Sequence, residues 1–170
     1  MIQNIIDSPG PLLNKTIKLQ ASNGLSSYWF SEKDNLILCG KVDWIEYNED
    51  SDSLHIIDFK TGRHEEGESS LQLPIYLLLA SNLQKRPISK ASYWYLDKPN
   101  GLKEVKLPDI DDSADKVASV GQRIKLARQL NHFVCPENGC KHCYPLERVL
   151  KGEGKFVGLS EYKQDIYIFV

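Results

Sequence analysis

Residues 36–62 read LILCGKVDWIEYNEDSDSLHIIDFKTG, and the division of this stretch into elements sets the architecture around it. The apolar run 36–39 passes through Gly40 into Val42, Trp44, Ile45 and Tyr47, which predicts one long strand, buried on both faces at its start. The polar residues 48–53 predict a turn and 54–59 a second strand, together a hairpin with a loop longer than two residues. Upstream, Pro9, Gly10 and Pro11 mark a turn, and 16–20 and 28–30 read as short strands. Downstream, 61–70 is a loop holding Gly62 and Gly67. A helix follows over 71–83, with Ser69 or Ser70 as its N-cap and Pro74 near the first turn, where a missing N–H costs least. Strands are expected over 91–96 and 102–107, joined by a turn at Asn100-Gly101. Asp112 or Ser113 then caps a helix running to about His132, with Val117, Val120, Ile124, Ala127 and Leu130 on its apolar side. This order predicts one mixed α/β domain spanning residues 1–170.

Composition narrows the class. Hydrophobic residues make up 41% and charged residues 26% of the 170 residues, ordinary values for a globular chain. The longest apolar run, 73–80, is too short for a membrane span, and residues 1–10 carry no secretory signal pattern, so a cytoplasmic protein with no membrane partner is expected. A net charge of −2 gives no global attraction to nucleic acid, so any such attraction is local. Arg123, Lys125 and Arg128, on the last helix, are one candidate for it; a solvated helix face is the plainer reading of those three.

The chemistry begins at Asp58-Phe59-Lys60. Neighbours two apart on a strand share a face, so Asp58 and Lys60 project together while Phe59 is expected to go to the core. A carboxylate beside an ammonium suits phosphodiester hydrolysis, although an isolated Asp-x-Lys is commonly a surface pair. Asp43, among apolar residues on the preceding strand, needs a reason of its own. In a hairpin Asp43 and Asp58 approach each other, and a divalent cation relieves the repulsion of converging carboxylates. A solvent-facing Asp at a sheet edge is the alternative. Gln72 and Tyr76, four apart, share one helix face; alone they would read as a capping amide and a core tyrosine.

Taken in order, Gly40-Lys41-Val42-Asp43, Ile56-Ile57-Asp58-Phe59-Lys60-Thr61-Gly62 and Gln72-Leu73-Pro74-Ile75-Tyr76 resemble the RecB-like branch of the PD-(D/E)XK nucleases. That branch includes bacterial recombination nucleases and the exonucleases of CRISPR adaptation. The resemblance covers about residues 36–96. It implies a restriction-endonuclease-like mixed β-sheet flanked by helices, with Mg²⁺ or Mn²⁺ held by Asp43, Asp58 and the backbone carbonyl of Phe59. It makes Lys60 the catalytic lysine, and Gln72 and Tyr76 the extra motif that shapes the site near DNA. The implied activity is phosphodiester hydrolysis, exonuclease-like, on DNA ends or single strands in repair, recombination or CRISPR-type pathways. DNA is the implied partner, with a larger nuclease, helicase or CRISPR subunit as a further one.

Of the four cysteines, Cys135, Cys140 and Cys143 cluster in the segment 132–150, and such clusters in a reducing compartment point to metal. Many relatives in that branch hold a [4Fe–4S] cluster on four cysteines. Here Val149 stands where the last of them belongs, and no cysteine precedes Cys39, which reads as a buried core thiol. A Zn²⁺ site of three cysteines with His132 or His142, an iron–sulfur cluster and an unmetallated remnant all stay open. The upstream His or Glu of the family also lacks a counterpart, Glu32 being the sole Glu before Gly40. The isolated chain is therefore expected to cleave weakly or not at all. An inactive nuclease-fold module that binds DNA or a partner subunit is the alternative, and a purely structural metal-binding protein is a third.

Overall fold

In the computed structural model, which describes residues 2–22, 24–62, 64–67, 69–135 and 139–169, the stretch 36–47 is two strands rather than one. β1 (Ser26–Ser31) pairs antiparallel with β2 (Leu36–Gly40) as a two-stranded sheet. The chain leaves the ladder at Lys41, Val42 and Asp43 and enters a different sheet as β3 (Trp44–Asn48). A two-stranded sheet buries one face at most, so β2 alternates between half-buried and exposed residues instead of being buried on both sides. Cys39 falls on the exposed parity and is not a core thiol.

The central sheet has four strands in the order β3-β4-β5-β6. β4 (Ser53–Lys60) pairs antiparallel with β3 through the expected hairpin and parallel with β5 (Ile88–Tyr95). β6 (Leu102–Val105) closes the edge antiparallel to β5. Parallel pairing requires a crossover, and α2 (Gln72–Leu83) supplies it. The turn between β5 and β6 depends on Gly101, where a Cβ would stand 1.9 Å from the Tyr95 carbonyl oxygen. The expected strand over 16–20 is reduced to an isolated bridge, Thr16 to Glu46.

α2 is apolar nearly all round, with Leu73, Tyr76, Leu77, Leu78, Leu79 and Ala80 buried, because it lies between the central sheet on one side and β1–β2 on the other. Gly40 permits the second contact, since a Cβ there would meet Leu79 at 3.0 Å. Alternation along β4 sends Leu54 and Ile56 into the core with Leu73, Tyr76 and Ala80 of α2 and Ala91, Tyr93 and Tyr95 of β5. On the opposite face Phe59 packs between Trp44 and Trp94, at ring-centroid distances of 6.0 and 5.4 Å. Two short helices near the N-terminus, α1 (Ile2–Asp7) and the 3₁₀ turn Gly10–Leu13, lie beside Trp94. The result is a mixed sheet flanked by helices, restriction-endonuclease-like as expected.

Two helix starts differ from expectation. The N-cap position of α2 is Leu71, and Ser70 instead accepts the Gln72 N–H at 3.3 Å from outside the helix. α3 (Ile110–Gln129) is capped by Asp109, whose carboxylate accepts the N–H groups of Asp111 and Asp112, rather than by Asp112 or Ser113. Ser113 is buried and its hydroxyl donates to the Asp109 carbonyl.

The chain divides into two compact units, Met1–Ile124 and Lys125–Val170, with the boundary inside α3. The second unit holds the end of α3, α4 (Cys143–Leu150) and an antiparallel hairpin of β7 (Gly154–Leu159) and β8 (Asp165–Phe169). Among the described residues no helix is long and apolar enough to cross a membrane.

Candidate active site

Asp58 sits near the end of β4, where the parity that takes Leu54 and Ile56 into the core also turns Asp58 toward α2. Its side chain is 0% exposed, and a carboxylate taken fully out of water needs compensation. Compensation comes from one side. Gln72 Nε2 donates to Asp58 Oδ1 at 2.6 Å, and the Lys60 ammonium stands 2.9 Å from Oδ2. That second contact is an ion pair without hydrogen-bond alignment. Oδ2 is one of two buried side-chain polar atoms left without a hydrogen-bond partner among the described residues.

Asp43 reaches the same place from the segment just before β3, not from within a strand as expected. Trp44 is paired with Ile57, so Asp43 comes one step further along the hairpin, level with Asp58. Its Oδ2 accepts the Phe59 N–H at 3.1 Å, a strand N–H that points out of the ladder here. Burial is the main force pushing the Asp58 carboxyl above the usual range; Asp43 adds to it and Lys60 opposes it. Two carboxylates held together, with a buried oxygen lacking a hydrogen donor, form a donor set that fits a hard divalent cation.

Lys60 follows Asp58 on the same face, 15% exposed and 5.1 Å above the Tyr93 ring. Burial pulls its pKa down, but the Glu66 and Asp58 carboxylates beside it overcome that and leave it raised, so the ammonium stays charged. Gln72 Oε1 accepts from Lys60, and Gln72 Nε2 also donates to the Tyr76 hydroxyl at 3.2 Å. The helical spacing therefore does bring Gln72 and Tyr76 to the Asp58 side of α2. Burial raises the Tyr76 pKa, so its hydroxyl keeps its proton.

One member of this cluster escaped the sequence reading. Glu66, in the loop between β4 and α2, places Oε2 2.9 Å from Lys60 Nζ. Its N–H donates to the Tyr95 hydroxyl at 3.0 Å, and a hydrogen bond from Ser70, seconded by Lys60, lowers its carboxyl pKa. A loop glutamate in an acidic, glycine-containing stretch has no periodicity to mark it. The signal available was its position between two motifs that the fold brings together.

In the second unit, ligand atoms of Cys135, Cys140 and Cys143 lie within 4.8 Å of one another. Among the described residues neither His132 nor His142 joins the group; residues 136–138 of the segment lie outside the described residues. Cys140 and Cys143 sulfurs are 3.7 Å apart. Backbone N–H groups of Cys143 and His142 lower the Cys140 pKa, while the neighbouring Cys140 sulfur raises that of Cys143. Three thiols converge; a four-cysteine set does not form among the described residues. Arg123, Lys125 and Arg128 lie on α3, as expected.

No match is found among curated proteins or solved structures. The sequence model of the PD-(D/E)XK nuclease superfamily matches residues 11–145, which takes in the whole Asp43–Asp58–Lys60 cluster, the crossover helix and the three clustered cysteines. A match over most of the length, on a chain with this mixed sheet, places the protein in that family: it belongs to the PD-(D/E)XK nuclease superfamily.

Proposed function

We propose that this chain is a Mg²⁺- or Mn²⁺-dependent deoxyribonuclease of the RecB-like branch, acting on DNA ends or single strands in repair, recombination or CRISPR-type pathways. The observation that carries this reading is the fully buried Asp58 carboxylate, level with Asp43 across the hairpin, with Oδ2 met by the Lys60 ammonium at 2.9 Å but outside hydrogen-bond alignment. A structural ion pair in a core is normally closed by hydrogen bonds on every lone pair. Here Oδ2 has the Lys60 ion pair and no aligned hydrogen bond among the described residues.

In the mechanism we infer, Asp43, Asp58 and the carbonyl of Phe59 hold the divalent ion. When bound, the ion lowers the pKa of a coordinated water and offsets charge on the phosphate. Lys60 acts as a fixed cation rather than a proton acceptor, orienting the phosphate and the attacking water. Gln72 fixes both partners at once, donating to Asp58 and accepting from Lys60, while Tyr76 anchors the amide from one turn further along α2. DNA binding by a chain of net charge −2 draws on local cations or on a basic partner subunit. The deciding experiment is cleavage of single- and double-stranded DNA with Mg²⁺ or Mn²⁺ by wild type, Asp58→Asn and Lys60→Ala. Metal-dependent cleavage lost in both variants supports the reading. A wild-type protein that binds DNA without any cleavage would make it an inactive module of the same fold.

A second metal is favoured by a separate observation, the convergence of Cys135, Cys140 and Cys143. We propose that these thiols hold a thiophilic metal, Zn²⁺ or an iron–sulfur centre, with the fourth ligand from outside the trio. Metal analysis and the visible absorbance of protein purified without oxygen test this, and neither zinc nor iron would leave the thiols as a remnant.

A further inference from the structure

Three oxygens close around Lys60 Nζ: Asp58 Oδ2 and Glu66 Oε2, each at 2.9 Å, and Gln72 Oε1. Three oxygens at this range crowd the ammonium, so a substrate oxygen reaches Lys60 by replacing one of these neighbours. Asp58 is fully buried, and Gln72 is tied to both Asp58 and Tyr76. Glu66 is different. It sits on a loop and its side chain is 29% exposed, so it is the neighbour that can leave.

The surroundings of that carboxylate make a small anion seat. Lys60 meets it from the β4 side at 2.9 Å, and Ser70, just ahead of α2, and Tyr93 of β5 line the same groove wall as Glu66. The wall of that groove, of about 1060 Å³, also carries Lys106 and Lys116, Lys103 paired with Glu65, and the carboxylates of Asp109 and Asp112. A carboxylate and a phosphodiester present the same chemistry to such a seat. Each has two oxygens sharing one negative charge, and each accepts from a cation and a hydroxyl side by side.

We propose that the seat formed by Lys60 and Ser70 receives a phosphate oxygen of the DNA strand, and that the Glu66 carboxylate is its internal occupant, displaced as the strand enters along the groove. This rests on the nuclease reading above and adds Ser70 as a phosphate-binding residue. Glu66 competes for the seat and also repels the incoming phosphate, so its charge lowers the affinity for DNA.

The test is fluorescence anisotropy of a short labelled single-stranded oligonucleotide with the full chain in Ca²⁺, using wild type, Glu66→Gln and the pair Glu66→Gln/Ser70→Ala. Glu66→Gln keeps the shape and removes the charge, and it should tighten binding by about 5-fold, with Ser70→Ala reversing much of that gain. Thermal unfolding verifies that each variant is folded. Unchanged or weaker binding by folded Glu66→Gln overturns the proposal, as does an unaltered affinity on adding Ser70→Ala. Cleavage by wild type and Asp58→Asn in Mg²⁺ or Mn²⁺ is measured in parallel. Absence of Asp58-dependent cleavage sinks the nuclease reading, whereas the Glu66→Gln affinity change reports on the seat alone.

Discussion

His55 and Asp58 lie three residues apart on β4, on opposite faces, and the fold treats them in opposite ways. The His55 ring is satisfied at both nitrogens, Nδ1 by Glu46 at 2.8 Å and Nε2 by the fully buried Ser92 hydroxyl at 2.7 Å. Glu46 lies opposite His55 on β3, and Ser92 comes from β5, so the network staples three strands together. Asp58 is more deeply buried, yet one of its oxygens has the Lys60 ion pair and no aligned hydrogen bond. A closed polar network serves the structure, because every lone pair and proton is accounted for inside the protein. An open one stores an unmet demand that a ligand can fill. On the proposed reading, the difference separates a site from a brace on a single strand.

The comparison is broken most easily at Asp58. Asp58→Asn keeps the volume and the bond from Gln72 but removes the charge that holds a cation, and cleavage should fall by about 10³-fold. Retention of more than a tenth of the wild-type rate would show that the open oxygen is not the metal's. On the other face, His55→Leu takes the imidazole partner from Glu46 Oε2 and from the Ser92 hydroxyl, and the fold should lose about 2–3 kcal/mol, read by chemical denaturation. DNA cleavage per folded molecule stays near wild type if this network is only a brace. A loss of stability in the double variant His55→Leu/Glu46→Leu equal to the sum of the two single variants' losses would deny the coupling between them.

These two residues also mark how far the sequence could be read. Asp58, Lys60, Gln72 and Tyr76 were legible because strand and helix periods fix which side chains share a face, and those periods are local. Asp43 was legible as a residue but not as a location, since the break after Gly40 follows from β2 joining β1, a choice made by tertiary packing. Cys39 was misread for the same reason: an apolar run looks buried on both sides until its sheet turns out to have two strands. The His55–Ser92 bond joins positions 37 apart through a parallel pairing whose register no local pattern encodes. Glu66 depends likewise on where a loop folds back.

A smaller effect sharpens the contrast through pH. Burial raises the Asp58 carboxyl from its ordinary value of 3.8, so the folded protein holds that proton more readily than the unfolded chain. The stability contributed by this group is therefore present below pH 3.8 and is lost as pH rises through the raised folded value. A metal ion competes with the same proton, so stabilisation by Mg²⁺ or Mn²⁺ should appear across that window and grow with pH. With the ion at ten times its Kd the gain is about 1.4 kcal/mol, a rise in melting temperature of about 3–6 °C. A metal-induced shift that is independent of pH, or that survives in Asp58→Asn, would detach the ion from Asp58.

The smallest expected effect belongs to Tyr76, and it tests whether the open site is held rigid from behind. The Tyr76 hydroxyl meets Gln72, whose Nε2 divides its two protons between Tyr76 at 3.2 Å and Asp58 at 2.6 Å. Tyr76→Phe removes that acceptor while keeping the ring, which is buried in the core with Leu54 and Ile56. One amide proton of Gln72 then lacks its partner, and the amide is freer to turn away from Asp58 and Lys60. A neutral hydrogen bond at this distance is worth about 1 kcal/mol, so the rate should fall by about 5-fold. Because Tyr76 acts by positioning and not by binding the strand, the loss belongs in kcat, with KM for DNA nearly unchanged. Gln72→Ala should lower the rate further, and adding Tyr76→Phe to Gln72→Ala should then change nothing. An additive loss in that double variant would mean that the phenol reaches the metal or the strand by a route of its own.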